Sequence, residues 1–296
     1  MAVKLDLSKS AVGRKVKAGE LRPHTNAVKP LLTAANKLTR MKWGLIHVQP
    51  VVHNGMLKYH TMHNVVHIDE KWFFMTKTTD RYYLLPDVEE PYRSYHTLEK
   101  IEMSYLMEKY ASFHSQQKSQ HIENPRTDQK IIPTIKAKWP DNISNEIFIQ
   151  QDNARPHIMH NDAEFQSVAN TDGFKFHIIC QPANSPDCNV LDLGFFRAIQ
   201  SIQDDKLARG VDDLLSNVQS SFEELSAQTL NKVFLTLQAC LTKILKVEGG
   251  NGYKTPHINK DRLSRLGILP HTLEVEEHVV KAAVAYLQQT ENDVGT

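Results

Sequence analysis

Three aspartates lie beside short apolar runs, and their positions are the strongest chemical signal in this sequence. Asp69 falls inside a run that begins at Val65, Asp152 ends a run that begins at Ile147, and Asp192 follows a polar segment. Runs of Val, Ile and Phe of this length indicate buried strands. A carboxylate in such a place is costly unless it is paired, hydrogen-bonded or bound to a metal. Three such acids predict a divalent-cation site, which suggests phosphodiester chemistry.

Each aspartate taken alone also has a simpler structural explanation, and these alternatives stay open at this point. Asp69 fits an edge-strand acid paired with a lysine such as Lys71, which the period-two alternation of a strand places on the same face. Asp152 fits an Asx turn at the end of its strand. Asp192 fits the first turn of a helix capped by Asn189, where an acid is favoured by the helix dipole.

The surrounding pattern predicts the elements that position these acids. A strand through Asp69 and a returning strand at 81–86 are expected to form a hairpin, and a second strand is expected to end at Asp152. Residues 98–113 carry apolar side chains at helical spacing, which predicts an amphipathic helix. Further helices are predicted at 32–46, 211–222 and 227–247.

The first 50 residues are basic, unlike the rest of the chain. They hold ten Lys or Arg and two acids, a balance of +8, so a whole-chain charge of +1 leaves −7 for the remainder. A basic head on an acidic body indicates contact with nucleic acid, although a solvated basic terminus is the simpler alternative. A short helix is expected over 6–17. The residues expected to contact DNA in this head are Lys9, Arg14, Lys15, Lys17 and Arg22.

The composition excludes several classes of protein. Hydrophobic residues make up 41% of the chain and charged residues 23%, which is ordinary for a globular protein. We find no apolar run of membrane-spanning length and no signal-peptide pattern. The three cysteines form no CxxC pair, which favours a reduced intracellular compartment and argues against a cysteine-based zinc site.

Four segments of the chain resemble the transposases of the mariner family, in particular its plant-type mariner-like branch. They read HIDEKWF from His67, YYLLP from Tyr82, QQDNARPH from Gln150 and NSPDCNVLDLGFF from Asn184. Thirty-nine residues separate Asp152 from Asp192, a spacing that looks like the final catalytic interval of that branch.

The resemblance implies a ribonuclease-H-like α/β fold, in which a mixed sheet is flanked by helices. It implies that Asp69, Asp152 and Asp192 bind two Mg²⁺ ions, for which Mn²⁺ can substitute. The implied activity is that of a DNA transposase, which nicks transposon ends by hydrolysis and joins the freed 3′-hydroxyl to a target. The implied partners are the terminal inverted repeats and target DNA, bound by a homodimer in the nucleus, with no membrane.

Three further residues of interest lie within the matching segments. Arg155 and His157, just after Asp152, are expected to contact DNA, and His157 is alternatively placed near the metal's water shell. Asp187 lies in the last motif, but the family's third acid matches Asp192 instead.

The expected organisation has four parts: a helical remnant of a helix-turn-helix DNA-binding region at 1–24, a helical linker at 25–62, the catalytic domain at 63–205 and a helical region at 206–296. Segment 93–130 diverges from the family and is expected to replace an outer strand, which leaves 81–85 as a bare edge. These losses raise the alternative of a catalytically silent DNA-binding relic. A ribonuclease acting on RNA hybrids shares the metal chemistry but not the motifs that begin at Gln150 and Asn184.

Overall fold

The computed structural model describes residues 29–74, 100–108, 121–122, 131–141, 143–153, 161–206 and 208–294, together with Ala11, Arg14, Lys15, Ala18, Glu20 and Met159. The chain divides into two units, 1–31 and 32–296, and the elements below belong to the second. Predictions made for Lys9, Lys17, Arg22, Arg155 and His157 lie outside the described residues.

The second unit contains eight strands and eight α-helices among its described residues. The strands are β1 Val48–His53, β2 Met56–Tyr59, β3 Val65–Phe74, β4 Lys100–Glu108, β5 His121–Ile122, β6 Glu146–Gln151, β7 Lys175–Cys180 and β8 Glu274–Glu276. The helices are α1 Ala34–Ile46, α2 Ile132–Lys138, α3 Ala163–Ala169, α4 Phe196–Gln203, α5 Val211–Glu224, α6 Ala227–Lys246, α7 Lys260–Arg265 and α8 Glu277–Val294. A 3-10 turn at Pro186–Cys188 and a π-helical turn at Leu191–Phe195 precede α4.

The central element is a five-stranded mixed sheet in the order β5-β4-β3-β6-β7. Strand β3 pairs with β4 in the antiparallel sense and with β6 in the parallel sense, and β6 pairs in parallel with β7. Strands β1, β2 and β8 form a separate antiparallel sheet. The mixed α/β architecture predicted from the sequence is therefore confirmed.

Both faces of the five-stranded sheet are covered, which explains why its strands read as short continuous apolar runs. Along β3, Val65 belongs to one apolar core while Val66 and Ile68 belong to another, because successive side chains point to opposite faces. The first core includes residues of α1, α4, α5, α6 and α8, and the second includes residues of α2 and α3. The sheet is thus the middle layer of three.

The prediction of a helix over residues 98–113 is wrong where the structure describes that segment. Residues 100–108 form β4, which runs beside β3 from Val66 to Phe74. This side of β3 is the place that the predicted hairpin gave to residues 81–86, which lie outside the described residues. The long apolar β3 offers a row of backbone donors and acceptors, and pairing with it overrides a helical side-chain spacing.

The helices predicted at 32–46, 211–222 and 227–247 are confirmed within a few residues, whereas most of the helix predicted over 6–17 lies outside the described residues. Helix α1 starts after Thr33, whose hydroxyl accepts a hydrogen bond from the Asn36 amide, and α6 starts after Ser226, which caps Thr229 in the same way. Among the described residues, no helix has the length and apolar character needed to cross a membrane.

Candidate active site

Strand pairing places Asp69 and Asp152 at the same level of the sheet. The parallel register aligns His67 of β3 with Gln150 of β6. Carried forward by two residues, the same register sets Asp69 opposite Asp152, and paired parallel residues present their side chains on one face. Asp69 and Asp152 are both half-buried. Asp69 lies within β3 as predicted, and Asp152 directly follows the last residue of β6, so that strand ends one residue earlier than predicted.

Asp152 and Asp192 line one cleft, which has a volume of about 390 Å³. Its other lining residues are Asn153, Gln181, Pro182, Ala183, Asn184, Ser185 and Pro186. The surrounding protein raises the pKa of Asp192 even though its side chain remains exposed, and the charge of Asp152 raises it further. Lys71 acts in the opposite direction on the same carboxyl. Two repelling carboxylates at one cleft favour a cation between them.

Asn189 connects Asp69, the remaining predicted acid, to the loop that borders this cleft. Its amide Nδ2 donates to Asp69 Oδ2 at 2.6 Å, and its Oδ1 accepts from the Leu191 backbone N–H at 3.0 Å. The side chain is buried. The predicted role of Asn189 as a cap is supported by the second bond, whereas the bond to Asp69 was not predicted. Asp192 then lies in the π-helical first turn, as a variation on the predicted helix start.

The loop that carries Asn189 is fixed to the end of β6. Gln150, which is buried, donates from Nε2 to the Cys188 carbonyl oxygen at 3.0 Å. Asn153 donates from Nδ2 to the Gln181 carbonyl oxygen at 2.7 Å. These bonds hold the wall of the cleft against the strand that ends at Asp152.

Asp187 has a structural partner instead of a place in the cleft. Arg40, fully buried on α1, donates from Nη1 and Nη2 to the two carboxylate oxygens of Asp187 at 2.6 and 2.7 Å. The Tyr253 hydroxyl also donates to Asp187 Oδ2 at 2.5 Å. Burial opposes ionisation of Asp187, but the bonds from Arg40 and Tyr253 outweigh it and hold the pKa of that carboxyl below its usual value. This geometry agrees with the prediction that Asp187 is not one of the metal-binding aspartates.

Lys71 lies on the Asp69 side of β3, as the alternation predicted. Its Nζ lies 5.7 Å from the ring centroids of both Phe73 and Phe196. A cation over two aromatic faces is held near the start of α4 without being buried. Its charge is therefore positioned close to Asp192, in agreement with its effect on the pKa of that acid.

The described side chains bring the acids close together without completing a metal-ligand set. Within the ranges given above, no group of three or more His, Cys, Asp or Glu side chains has the arrangement of a metal site. The donors themselves are hard carboxylate oxygens, which suit Mg²⁺ or Mn²⁺. Asp69 is turned toward Asn189, while Asp152 and Asp192 face the cleft, so the donor chemistry fits a divalent cation and the triad is not closed.

Of the residues predicted to contact DNA, Arg14 and Lys15 are described. Lys15 Nζ forms an ion pair with Glu20 at 2.5 Å, and both side chains are largely exposed. The sequence analysis did not predict the bonds of Arg40 and Tyr253 to Asp187. The signal for Arg40 was its place on the apolar side of a predicted helix, and Tyr253 had no such signal.

Comparisons with known proteins identify the fold. No protein-family model and no curated protein sequence matches the chain. The structure of a pre-cleavage Mos1 transpososome aligns with 85% of this chain and 74% of the Mos1 chain, with a TM-score of 0.59 and 15% sequence identity. The Mos1 mariner paired-end complex with Mn matches 86% and 74%, with a TM-score of 0.58 and 16% identity.

The isolated catalytic domain of the Mos1 mariner transposase matches over its whole length. It covers 77% of this chain at a TM-score of 0.50 and 13% identity. At such low identity the likeness establishes the fold and leaves the activity open. The chain has the ribonuclease-H-like fold of the mariner transposase catalytic domain.

Proposed function

We propose that this chain is a plant-type mariner-like DNA transposase, which cuts and joins transposon ends by divalent-metal-dependent phosphodiester chemistry. The observation that carries the proposal is the arrangement of three aspartates on a transposase fold. Asp152 and Asp192 line one cleft, and the register of β3 and β6, extended two residues beyond their last pair, brings Asp69 level with Asp152. Each acid comes from a different element, as is expected of carboxylates that converge on two metal ions.

The chemistry needs Mg²⁺, or Mn²⁺ in its place, at these acids. When bound, two such ions activate the attacking water or hydroxyl and stabilise the leaving oxygen. The residues of the chain that would hold them are Asp69, Asp152 and Asp192. Asp152 and Asp192 repel each other across the cleft, and bound cations relieve that repulsion. Lys71 supplies a positive charge near the same cleft for a substrate phosphate.

The proposed substrate is DNA, namely the terminal inverted repeats of a transposon and then a target site. The basic head, with Lys9, Arg14, Lys15, Lys17 and Arg22, supports backbone binding through counterion release. Arg155 and His157 are proposed to contact DNA beside the cleft. A homodimer on paired ends and a nuclear location complete the proposal.

A catalytically silent DNA-binding protein is the second candidate. The observation that favours it is that the described residues form no set of three acids around one point. The absence of an outer strand, which also favoured it from the sequence, no longer does so because β4 and β5 lie outside β3.

The test combines metal binding with DNA nicking. Mn²⁺ is titrated by calorimetry into the full chain with duplex DNA present, and nicking of supercoiled plasmid is followed under the same conditions. Asp152→Asn removes one acid of the cleft. Asp261→Asn is the matched control, because Asp261 is 86% exposed and pairs with Lys232 away from the cleft.

We expect the wild type and Asp261→Asn to bind Mn²⁺ and nick DNA, and Asp152→Asn to lose both while it retains DNA binding. A folded wild type that binds duplex DNA without Mn²⁺ binding or nicking would establish the silent candidate. Nicking by Asp152→Asn at the wild-type rate would refute the assignment of the acids.

A further inference from the structure

We infer that Asn189 is a positioning residue, which orients the Asp69 carboxylate and ties it to the helix that carries Asp192. This inference rests on the proposed function, because orientation of Asp69 matters only if Asp69 binds a metal. Asn189 is neither an acid nor a ligand in the proposal above. Its role follows from its two hydrogen bonds and from the way its loop is anchored.

The two hydrogen bonds of Asn189 require an amide. A carboxylate such as Asp69 only accepts, so its partner must donate, whereas the Leu191 N–H only donates, so its partner must accept. One side chain faces both, at 2.6 Å and 3.0 Å. An asparagine amide offers one donor group and one acceptor group in a fixed plane, and only one orientation of that amide satisfies both partners.

Burial strengthens the bond to Asp69. The Asn189 side chain is 1% exposed, so water does not compete for its amide. A hydrogen bond to an ionised group is shorter and stronger than a neutral one, and 2.6 Å is at the short end of the range. The bond from Asn189 to Oδ2 therefore restricts Asp69 to one orientation.

The same asparagine sets the start of the helix that carries Asp192. Its Oδ1 bonds the Leu191 N–H, and its own backbone carbonyl accepts from the Leu193 N–H at 3.0 Å. Asp192 lies between these two residues. The Asn189 side chain thus connects Asp69 on β3 to the helical turn that carries Asp192. Asn189 and Asp69 are 120 residues apart in the sequence.

The loop before Asn189 is rigid enough for this task. Asp187 is held by buried Arg40, and the Cys188 carbonyl oxygen is held by Gln150. The backbone N–H of Asn189 also donates to the Pro186 carbonyl oxygen at 3.2 Å. Because both preceding residues are fixed, Asn189 holds Asp69 in place instead of following its movements.

The test replaces Asn189 with serine. Asn189→Ser keeps a hydroxyl acceptor that can cap the Leu191 N–H, but the shorter side chain does not reach Asp69. Asn231→Ser is the matched control, since Asn231 donates from Nδ2 to the Pro270 carbonyl oxygen at 3.2 Å, away from the acids. Both variants and the wild type are compared by Mn²⁺ calorimetry with duplex DNA present, by the Mn²⁺ dependence of nicking and by urea unfolding without metal.

We expect Asn189→Ser to weaken Mn²⁺ binding, and to raise the Mn²⁺ concentration for half-maximal nicking, by about 10- to 100-fold, the usual effect of removing a group that orients a metal ligand. Both variants should remain folded in the absence of urea, so that the Mn²⁺ affinities are compared between folded chains. The control should bind Mn²⁺ as the wild type does.

Three results would overturn the inference. Superimposable Mn²⁺ curves for Asn189→Ser and the wild type would refute it and leave the proposed function standing. An equal loss of Mn²⁺ affinity in Asn231→Ser would assign the effect to general stability. A wild type that binds no Mn²⁺ in the presence of DNA would refute the proposed function, and the inference with it.

Discussion

Replacing Asp187 with asparagine should destabilise the fold without removing a ligand of the proposed metal site. The Arg40 side chain is 0% exposed and that of Asp187 is 22% exposed, so the pair is shielded from solvent. Removing one partner of a buried ion pair costs about 3–5 kcal/mol, because the other charge stays buried without compensation. Asparagine keeps one acceptor for Arg40, which favours the lower end of that range.

The measurement is urea unfolding at about pH 7, followed by tryptophan fluorescence, since Trp43 lies on the same helix as Arg40. A loss of this size is a large part of the ~5–15 kcal/mol that stabilises an ordinary domain. Adding Arg40→Met to Asp187→Asn should restore part of the loss, because no buried charge then remains. The restoration is incomplete because the Gly249 carbonyl oxygen loses its bond to Arg40 Nε, at 2.7 Å.

The pH dependence supplies a second check on Asp187. Because its pKa in the folded chain is lowered, the stabilisation is present above the ordinary carboxyl pKa and is lost as pH falls through the folded value. The difference in unfolding free energy between wild type and variant should be constant near neutral pH and shrink below about pH 4.

Two results would refute this reasoning about Asp187. A difference below about 1 kcal/mol near neutral pH would place the pair among exposed ion pairs. Loss of Mn²⁺ binding by a variant of unchanged stability would make Asp187 a ligand. Loss of Mn²⁺ binding is the result expected for Asp152→Asn and not for Asp187→Asn.

Two further predictions concern other parts of the fold. Gly249→Ala should lower the free energy of unfolding by more than the ~1–3 kcal/mol of a strained backbone, because a Cβ there would lie 2.0 Å from the Lys37 carbonyl oxygen at φ +78°. Gly267 has φ +68° with open space around it, so Gly267→Ala should lower that free energy by the backbone strain alone. The same urea assay measures both. Burial, with a contribution from His60, lowers the pKa of His47 to about 4. As pH falls from 6.5 to about 4 the unfolded chain takes up this proton first, so the free energy of unfolding should drop by up to about 3 kcal/mol. In His47→Phe the urea midpoint should depend less on pH across that range. A pH dependence equal to that of the wild type would contradict the assignment to His47.

Local patterns were sufficient to place the acids on their elements. The apolar run around Asp69 and the one before Asp152 are short, dense in Val, Ile and Phe, and bounded by polar segments, so each specifies a buried strand without help from the rest of the chain. The cap at Asn189 likewise follows from the order of residues near Asp192. These features depend on neighbours within a few positions, which a sequence displays directly.

Partners far apart in the chain could not be predicted in the same way. The segment that forms β4 has apolar residues at a spacing that fits a helix, and only the exposed backbone of β3 makes a strand more favourable. Arg40 and Asp187 are separated by 147 residues, and the sequence around each residue does not indicate that the other is its partner. The bond from Asn189 to Asp69 was missed for the same reason.

The tripeptide Asp187–Asn189 is tied to three elements at once, and this affects how the protein can open. Asp187 is bonded to α1, the Cys188 carbonyl oxygen to β6 and Asn189 to β3. Loops beside a binding cleft usually belong to the least stable, fastest-exchanging part of a fold. Here a local fluctuation would have to break bonds to three elements together, so the amide protons of Cys188 and Asn189 should exchange with the cooperative unit of the sheet.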